Sequence, residues 1–467
     1  MKEFLSKYIG DKKFYTMLLK VCLPIIIQNA ISNFVNLLDN IMVGQTGTDS
    51  MTGVSVANQL IFVFNIIIFG AVAGAGIFTA QYHGKNDSDG IRFTLRFKLI
   101  ICLIMVVLGI TVFWFFKEPL VSLYMTDGDA AVDPVAVLDY GKRYISVMVF
   151  GLLPFAISQA YSGTLRETGE TFVPMVSGIS AVVVNLCLNY ILIFGKFGAP
   201  ELGVVGAAIA TVISRYVEML IVIIWTHTHK ERNPFAVGLF KGFHIPADVT
   251  KKIIVKGFPL LVNEALWSFG IAAVNQCYST RGLDVVSANN ISVTISNLFN
   301  VVFLSLGSAV AIIVGQALGS GEVEKAVDLD RKLIVTSVLS SLVMGAGLCA
   351  ISPIFPELYN TEPQIKELAA QLIRVVAFSM PFHAFVNACY FTLRSGGKTF
   401  ITFMFDSVAI WVLNYTVAFT LTRFAPALSV PAIMLLEQST NAIRCAIGWI
   451  LVKKRIWVHN LVADNAE

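Results

Sequence analysis

Three of the carboxylates that lie inside long apolar stretches are the residues of this sequence most suited to chemistry. Asp39 occurs in FVNLLDNIMVG, Glu264 in GFPLLVNEALW and Asp406 in TFITFMFDSVAIW. An ionised side chain within a bilayer costs several kcal/mol unless it is paired or hydrated, so such residues usually have a function. Each could bind a proton, a metal cation or an organic cation.

Asp39 has polar neighbours at helical spacing. Residues three and four apart share a helix face, so one face would carry Asn29, Asn33, Asn36 and Asp39. Burial favours the protonated carboxyl, whereas sodium or a substrate cation favours the carboxylate, so Asp39 could act as a protonation switch. The alternative is a structural carboxylate near the outer water interface that bonds to its own helix.

Asn185 and Asn189 form a second polar pair on one helix face, four residues apart. Their amide oxygens could coordinate a cation or hold the proton network of Asp39. Packing between helices would use the same residues, because asparagine often bonds across membrane helices. The sequence favours neither interpretation.

Glu264 follows Pro259 by five residues. Proline lacks an N–H and clashes with the preceding turn, so it should loosen this helix and free a backbone carbonyl. That carbonyl and the carboxylate could share a cation. Trp267, three residues further, could stack on an aromatic cation, although its position favours a packing role.

Further polar residues occur near the C-terminus. His383 can carry a proton near neutral pH but is a poor sodium ligand, and Asn387 follows it by one turn. Asp406 could contact substrate or be a hydrated packing residue. Glu437 and Arg444 lie seven residues apart, about 11 Å along a helix, and for them we expect a structural role.

The composition places these residues in a membrane protein. Of 467 residues, 56% are hydrophobic and 14% charged, and the mean hydropathy of +0.74 lies outside the range of soluble domains. The small net charge of +4 gives no indication of nucleic-acid binding. Twelve apolar stretches are long enough to span a bilayer, at about 15–43, 52–80, 95–116, 137–163, 172–195, 204–226, 253–278, 286–317, 332–354, 368–393, 399–422 and 428–452.

Lysine and arginine concentrate in alternate loops and at both ends of the chain. Basic residues favour the cytoplasmic side of a membrane. We therefore expect a multi-pass protein of the cell membrane with both termini in the cytoplasm.

The two halves of the chain are related in sequence. Residues 24–84 align with 259–319 without a gap, and the identical pairs include Gln81/Gln316 and Gly84/Gly319. TLRETGETF at 164–172 similarly resembles TLRSGGKTF at 392–400. The sequence therefore predicts an all-α protein with two six-helix lobes, 1–226 and 253–467, joined by a cytoplasmic linker, 227–252. Six helices per lobe imply a pseudo-twofold axis along the membrane normal, with a midplane site between rocking lobes.

Several segments together carry a family resemblance. LLDNIMVG (37–44), AGAGIFTAQYHG (73–84), LRETGET (165–171), NLCLNYILIFG (185–195) and LRSGGKT (393–399) occur in this order within the twelve-helix frame. The chain thus resembles the multidrug and toxic compound extrusion (MATE) transporters. The resemblance implies export of amphiphilic, often cationic compounds, driven by protons or sodium flowing inward.

The resemblance also bears on single residues. Part of the family couples through a glutamate that Glu264 resembles. Some relatives carry an acid where this chain has Asn189, and an aspartate where it has His383, and both departures bear on the coupling ion. A functional His383 would favour protons over sodium.

We therefore predict two sets of site residues. Proton or cation coupling is assigned to Asp39, Asn36, Asn185, Asn189, Glu264 and His383, and substrate binding to Asp39, Glu264, Trp267, Asn387 and Asp406. We expect no cofactor and no resident metal, apart from transient sodium at Asp39 or Glu264. The expected partners are small-molecule drugs and the lipid bilayer, with a monomer in the inner membrane of a bacterium and no nucleic acid.

Other classes of protein fit the sequence less well. A lipid-linked oligosaccharide flippase of the same superfamily is the nearest alternative, but it should line its cavity with arginine. A major facilitator transporter should show G-x-x-x-D-R-x-G-R-R where this chain has QYHGKNDSDGIR. An enzyme would need clustered metal ligands, a nucleophile with its base, or Asp-rich boxes, and the sequence shows none.

Overall fold

The computed structural model describes residues 7–122, 133–242, 244–359 and 361–463, without the side chains at 36, 37, 40, 41 and 283. The described chain consists of helices and short connections and contains no strand. The first six helices are α1 (Lys12–Gly44), α2 (Thr48–Gly84), α3 (Ser88–Ser122), α4 (Pro134–Glu167), α5 (Phe172–Phe194) and α6 (Gly203–Thr228). The remainder are α7 (Ala247–Ser279), α8 (Leu283–Gly319), α9 (Val323–Ile351), α10 (Pro363–Ser395), α11 (Thr399–Phe424), α12 (Val430–Ser439) and α13 (Asn441–Lys453).

Within the described residues, 11 helices are long and apolar enough to cross a membrane. The twelfth predicted span, 428–452, is divided at Thr440 into α12 and α13, and each of these is too short to be counted alone. A 3₁₀ turn at Val149–Gly151 interrupts α4 without ending the span. The predicted all-α, multi-pass fold is confirmed.

The backbone of α11 is irregular around Asp406. Two π-helical turns, Met404–Val408 and Ile410–Tyr415, interrupt the α-helix. Such turns are rare and are frequently found at functional sites. Side chains of this segment bond to the backbone of α7: the Ser407 hydroxyl donates to the Asn263 carbonyl at 2.7 Å, and the Trp411 indole donates to the Leu266 carbonyl at 3.0 Å. The irregular stretch is therefore fixed to α7.

The chain forms two compact units. Unit 1 contains residues 1–26, 80–87 and 255–467, and unit 2 contains 27–79 and 88–254. Thus α1 begins in unit 1 and continues in unit 2, whereas the end of α2 belongs to unit 1. The predicted division into lobes at 226 and 253 stays a prediction.

Unit 1 has a large apolar core that includes the end of the chain. Buried side chains of α1, α8, α9 and α10 pack with Trp457, which follows α13. The side chain of Gln81 links α10 to the residues that follow Trp457. Its Nε2 donates to the Ser395 carbonyl at 2.9 Å, and its Oε1 accepts from the Leu461 amide at 2.7 Å. The C-terminal segment is thus an integral part of unit 1.

Two repeat-related pairs meet at one helix crossing in unit 1. A Cβ atom on Gly84 would lie 1.9 Å from the carbonyl oxygen of Gln316, and one on Gly319 would lie 1.9 Å from that of Gln81. The ends of α2 and α8 therefore approach so closely that only glycine fits. This reciprocal contact explains why both pairs stand out when the two halves are aligned.

Unit 2 packs its predicted linker against α3. The buried Arg96 guanidinium donates to three linker carbonyls, at 2.8 Å to Leu239, 2.8 Å to Gly238 and 3.0 Å to His244. Backbone carbonyls without partners are costly when water is excluded, so one arginine that satisfies three of them keeps the segment folded. The linker between α6 and α7 is thus an ordered element of unit 2.

We predict that Gly319→Ala destabilises the protein, because the added methyl must push α2 and α8 apart. Overpacking of this kind costs about 1–3 kcal/mol. The measurement is the melting temperature of the purified protein in detergent. Gly163→Ala in α4 is the control, since its Cβ would make only an ordinary contact at 3.8 Å. Equal melting temperatures for the two variants would contradict the close crossing.

Candidate functional site

Asp39 lies in a polar cluster of unit 2 formed by α1, α5 and α6. Asn189 Nδ2 donates to Asp39 Oδ1 at 2.7 Å. With its amide oxygen turned toward Thr211, Asn185 places its nitrogen 3.0 and 3.1 Å from the two oxygens of Asp39. The structure thus brings together three residues predicted to act together and adds Thr211, which no sequence pattern indicated.

One hydrogen-bond acceptor in the described part of this cluster is unsatisfied. The buried carbonyl oxygen of Asn189 has no hydrogen-bond partner among the described residues. An oxygen in that position beside a carboxylate can accept a hydrogen bond from the protonated acid or help to coordinate a small cation. The side chain of Asn36, also predicted for this site, lies outside the described part of the chain.

Glu264 belongs to a second polar cluster, in unit 1. The Tyr390 hydroxyl of α10 lies 3.4 Å from Glu264 Oε1. Asn263 Nδ2 donates to the same hydroxyl at 3.4 Å and to Asp406 Oδ2 at 3.1 Å. Tyr390 and Asn263 therefore connect Glu264 of α7 to Asp406 of α11.

Asp406 is paired with a cation of the protein. The Arg444 guanidinium of α13 lies 2.7 Å from Asp406 Oδ1, and the two side chains are 6% and 16% exposed, respectively. Arg444 also donates to the Phe405 carbonyl at 3.3 Å and to Asn441 Oδ1 at 3.2 Å. The sequence did not reveal this pairing. A substrate contact at Asp406 stays a prediction, but its charge already has a partner.

Glu437 and Arg444 form hydrogen bonds with separate partners. Glu437 accepts from Asn414 Nδ2 at 2.6 Å and from the Tyr278 hydroxyl at 3.3 Å. Both contacts lie among buried side chains of α7, α11 and α12. Glu437 therefore connects helices through hydrogen bonds, which is a structural role.

His383 joins the same network from α10. Its Nε2 lies 2.5 Å from Gln438 Oε1 and 3.5 Å from Asn441 Nδ2. Asn441 in turn accepts from Arg444. A continuous series of polar side chains therefore runs from Glu264 to His383 within unit 1.

Two of the predicted substrate residues lie apart from this network in the contacts of the described residues. Asn387 packs against α8, where a Cβ on Gly307 would lie 2.2 Å from its amide oxygen. That oxygen is buried without a described partner. Trp267 is 39% exposed and has no described hydrogen bond or ring contact with Glu264. Their roles in substrate binding stay predictions.

Buried charges elsewhere were missed from the sequence. Lys98 of α3 is 1% exposed and is paired with Glu167 and with the Thr164 hydroxyl. Asp330 of α9 is equally buried and contacts the Thr392 hydroxyl. Both residues lie at the ends of apolar stretches, where a charged residue is indistinguishable from a loop residue until the helices are packed.

Comparisons with known proteins agree with this architecture. The family model MatE matches residues 24–191 and 259–420, one segment in each half of the chain. The probable multidrug resistance protein NorM of Thermotoga maritima is 25% identical over 413 residues, which cover 87% of this chain and 85% of that protein. A NorM of Idiomarina loihiensis is 28% identical over 424 residues, 89% of this chain and 88% of that protein. A solved outward-facing multidrug resistance MATE family transporter of the MOP superfamily matches with a TM-score of 0.83 at 20% identity, over 97% of each chain.

We predict that Arg444→Gln strongly destabilises the protein, because it leaves the Asp406 carboxylate buried without a counter-charge. Breaking a buried pair in this way costs about 3–5 kcal/mol. The melting temperature should fall, and the double variant Asp406→Asn/Arg444→Gln should recover part of the loss.

Lys366→Gln serves as the control for this prediction. It removes a more exposed ion pair of unit 1, with Glu357 at 2.9 Å, and should cost less than about 1 kcal/mol. If the double variant is no more stable than Arg444→Gln, the ion pair between Asp406 and Arg444 does not stabilise the packing of α11 against α13.

Proposed function

This chain belongs to the MatE family, and we propose that it is a cation-coupled antiporter exporting amphiphilic, often cationic small molecules. The names of its relatives, multidrug resistance proteins, support the substrate class. We place it in the inner membrane of a bacterium as a monomer, with both termini in the cytoplasm and substrate moved by alternating access. The observation that carries the proposal is Asp39, a carboxylate within a membrane helix that only neutral side chains hold in the described structure.

Asp39 supports ion coupling because its described hydrogen-bond partners carry no charge. Amide donors stabilise the carboxylate, yet they leave its net charge in place. A proton, a sodium ion or a cationic drug can each neutralise that charge. Drug and coupling ion then oppose each other at the site, and by linkage each weakens the binding of the other by the same coupling free energy.

Glu264 is a better candidate for exchange than Asp406, the acid to which it is connected in unit 1. Asp406 has Arg444 at 2.7 Å and Asn263 at 3.1 Å. In contrast, the described hydrogen bonds of Glu264 are limited to the long contact with Tyr390, with a longer-range attraction from Arg394. A fixed internal cation compensates Asp406, so Glu264 is left to bind the coupling ion.

We favour protons as the coupling ion. His383, an ionisable imidazole, lies in the network that contains Glu264, and imidazole is a poor sodium ligand. Movement of one positive charge inward yields about 2.3 kcal/mol for each 100 mV of membrane potential. That free energy corresponds to roughly fifty-fold accumulation of drug outside if one net charge moves in each cycle.

Asp39→Asn should abolish drug resistance without loss of expression, because the amide can neither release a proton nor bind a cation electrostatically. The measurement is gradient-driven dye uptake into inverted vesicles, alongside the amount of protein in the membrane. Asp139→Asn is the control, since it removes a carboxylate of an exposed pair with Arg143. Normal uptake by Asp39→Asn would overturn the assignment.

The coupling ion is tested by replacing sodium with choline at constant pH. We expect dye uptake to continue in choline and to stop when the proton gradient is dissipated. Glu264→Gln should lose uptake or uncouple it from the gradient, because its side chain cannot take up the ion. If uptake stops in choline, sodium rather than the proton is the coupling ion.

A further inference from the structure

Asp330 is a buried carboxyl group to which the proposed transport cycle assigns no role. It lies on α9 in unit 1 with 1% of its side chain exposed. Its Oδ1 is 2.5 Å from the Thr392 hydroxyl of α10. The charged and titratable groups recorded around it are Arg331, the next residue, and Cys389 on α10. Arg331 itself lies over the ring of Tyr8, 5.8 Å from its centre.

The Thr392 hydroxyl has two oxygen neighbours and one hydrogen. It lies 2.9 Å from the Ala388 carbonyl, one turn earlier in α10, and 2.5 Å from Asp330. A hydroxyl can donate to only one of these oxygens at a time. If it donates to Ala388, the hydrogen in the contact with Asp330 must come from Asp330.

The other half of the chain shows which arrangement this position adopts. Thr164 corresponds to Thr392 in the repeat TLRETGETF/TLRSGGKTF. The Thr164 hydroxyl lies 2.9 Å from the Ala160 carbonyl and 3.0 Å from the Lys98 ammonium of α3. Because an ammonium only donates, Thr164 must accept from Lys98 and is free to donate to its own helix. By the same pattern, Thr392 accepts from its partner on α9.

Electrostatics favours the same arrangement. An ionised Asp330 would be a buried anion held by one hydroxyl, and burying a charge without a close counter-charge is costly. A protonated Asp330 has no such cost, and it can donate to Thr392 while Thr392 donates to Ala388. A proton on Asp330 thus satisfies both hydrogen bonds of Thr392 and removes the buried charge.

We propose that Asp330 is an additional proton-binding site of this transporter, and that its proton closes a contact between α9 and α10. This inference rests on the proposed proton coupling. Asp330 lies seven residues after the start of α9, about 10 Å along the helix, at the end that the distribution of basic residues places in the cytoplasm. When the proton leaves, the Thr392 hydroxyl must turn to donate to the carboxylate, and the remaining buried charge draws water from the cytoplasmic side.

Infrared difference spectroscopy on the purified full-length protein tests the proton directly. Between neutral and alkaline pH, the wild type should lose a carbonyl band of a protonated carboxyl group, and Asp330→Asn should lack that band. Asp328→Asn is the matched control, because Asp328 lies two residues away in a more exposed pair with Lys332. A wild-type difference spectrum that Asp330→Asn leaves unchanged would overturn the proposal.

Thr392→Val provides a second variant in case Asp330→Asn does not fold. It removes the acceptor but keeps the acid, so the carbonyl band should shift in frequency. An unshifted band would show that Asp330 does not donate to Thr392, contrary to the proposal.

Transport distinguishes a site in the cycle from a neutral structural acid. The amide of Asp330→Asn can still donate to Thr392 but cannot release a proton, so the pH profile of dye uptake should shift from that of the wild type. Uptake with the wild-type pH profile would limit Asp330 to a structural role and overturn the inference while leaving the proposed function intact. Should the wild type itself show no proton-driven uptake, the proposed function fails, and the infrared band still decides whether Asp330 binds a proton.

Discussion

The constraint on which this molecule depends is that polar groups in a membrane interior must find their partners within the protein. Most charges here meet that requirement locally. Arg444 compensates Asp406, Lys98 compensates Glu167, and the Arg96 guanidinium satisfies three backbone carbonyls. Against this background, a carboxylate held only by neutral groups is distinctive. Asp39 and Glu264 are two such carboxylates, and Glu437 and Asp330 are two more, because their described hydrogen bonds all come from neutral groups.

The two halves of the internal repeat share backbone contacts but carry different polar residues. These contacts are preserved where helices approach closely, as at Gly84 and Gly319. They are preserved again at Thr164 and Thr392, whose hydroxyls make the same contact with their own helices. The partner from the neighbouring helix, however, is a lysine in one half and an aspartate in the other. The internal repeat therefore determines where a polar contact occurs, and the residue on the neighbouring helix determines the charge of that contact.

The sequence predicted those features that depend on spacing along one helix. The long apolar stretches determined the spans, and the four-residue interval between Asn185 and Asn189 placed both on the face that meets Asp39. Contacts between distant helices were not predictable. Asp406 and Arg444 are separated by 38 residues, and the two π turns that set the rotation of α11 have no sequence signature. Charges at helix ends, such as Lys98, were also missed because burial there depends on how neighbouring helices pack.

The irregular backbone around Asp406 follows from the same requirement for partners. A π turn adds a residue to one helical turn and so changes the direction of the side chains around it. Here Ser407 and Trp411 bond to the backbone of α7 while Asp406 reaches both Asn263 and Arg444. Four contacts thus fix the position and charge of Asp406. Since Asn263 precedes Glu264 in α7, the segment that holds Asp406 in place also positions Glu264, whose charge has no comparable partner.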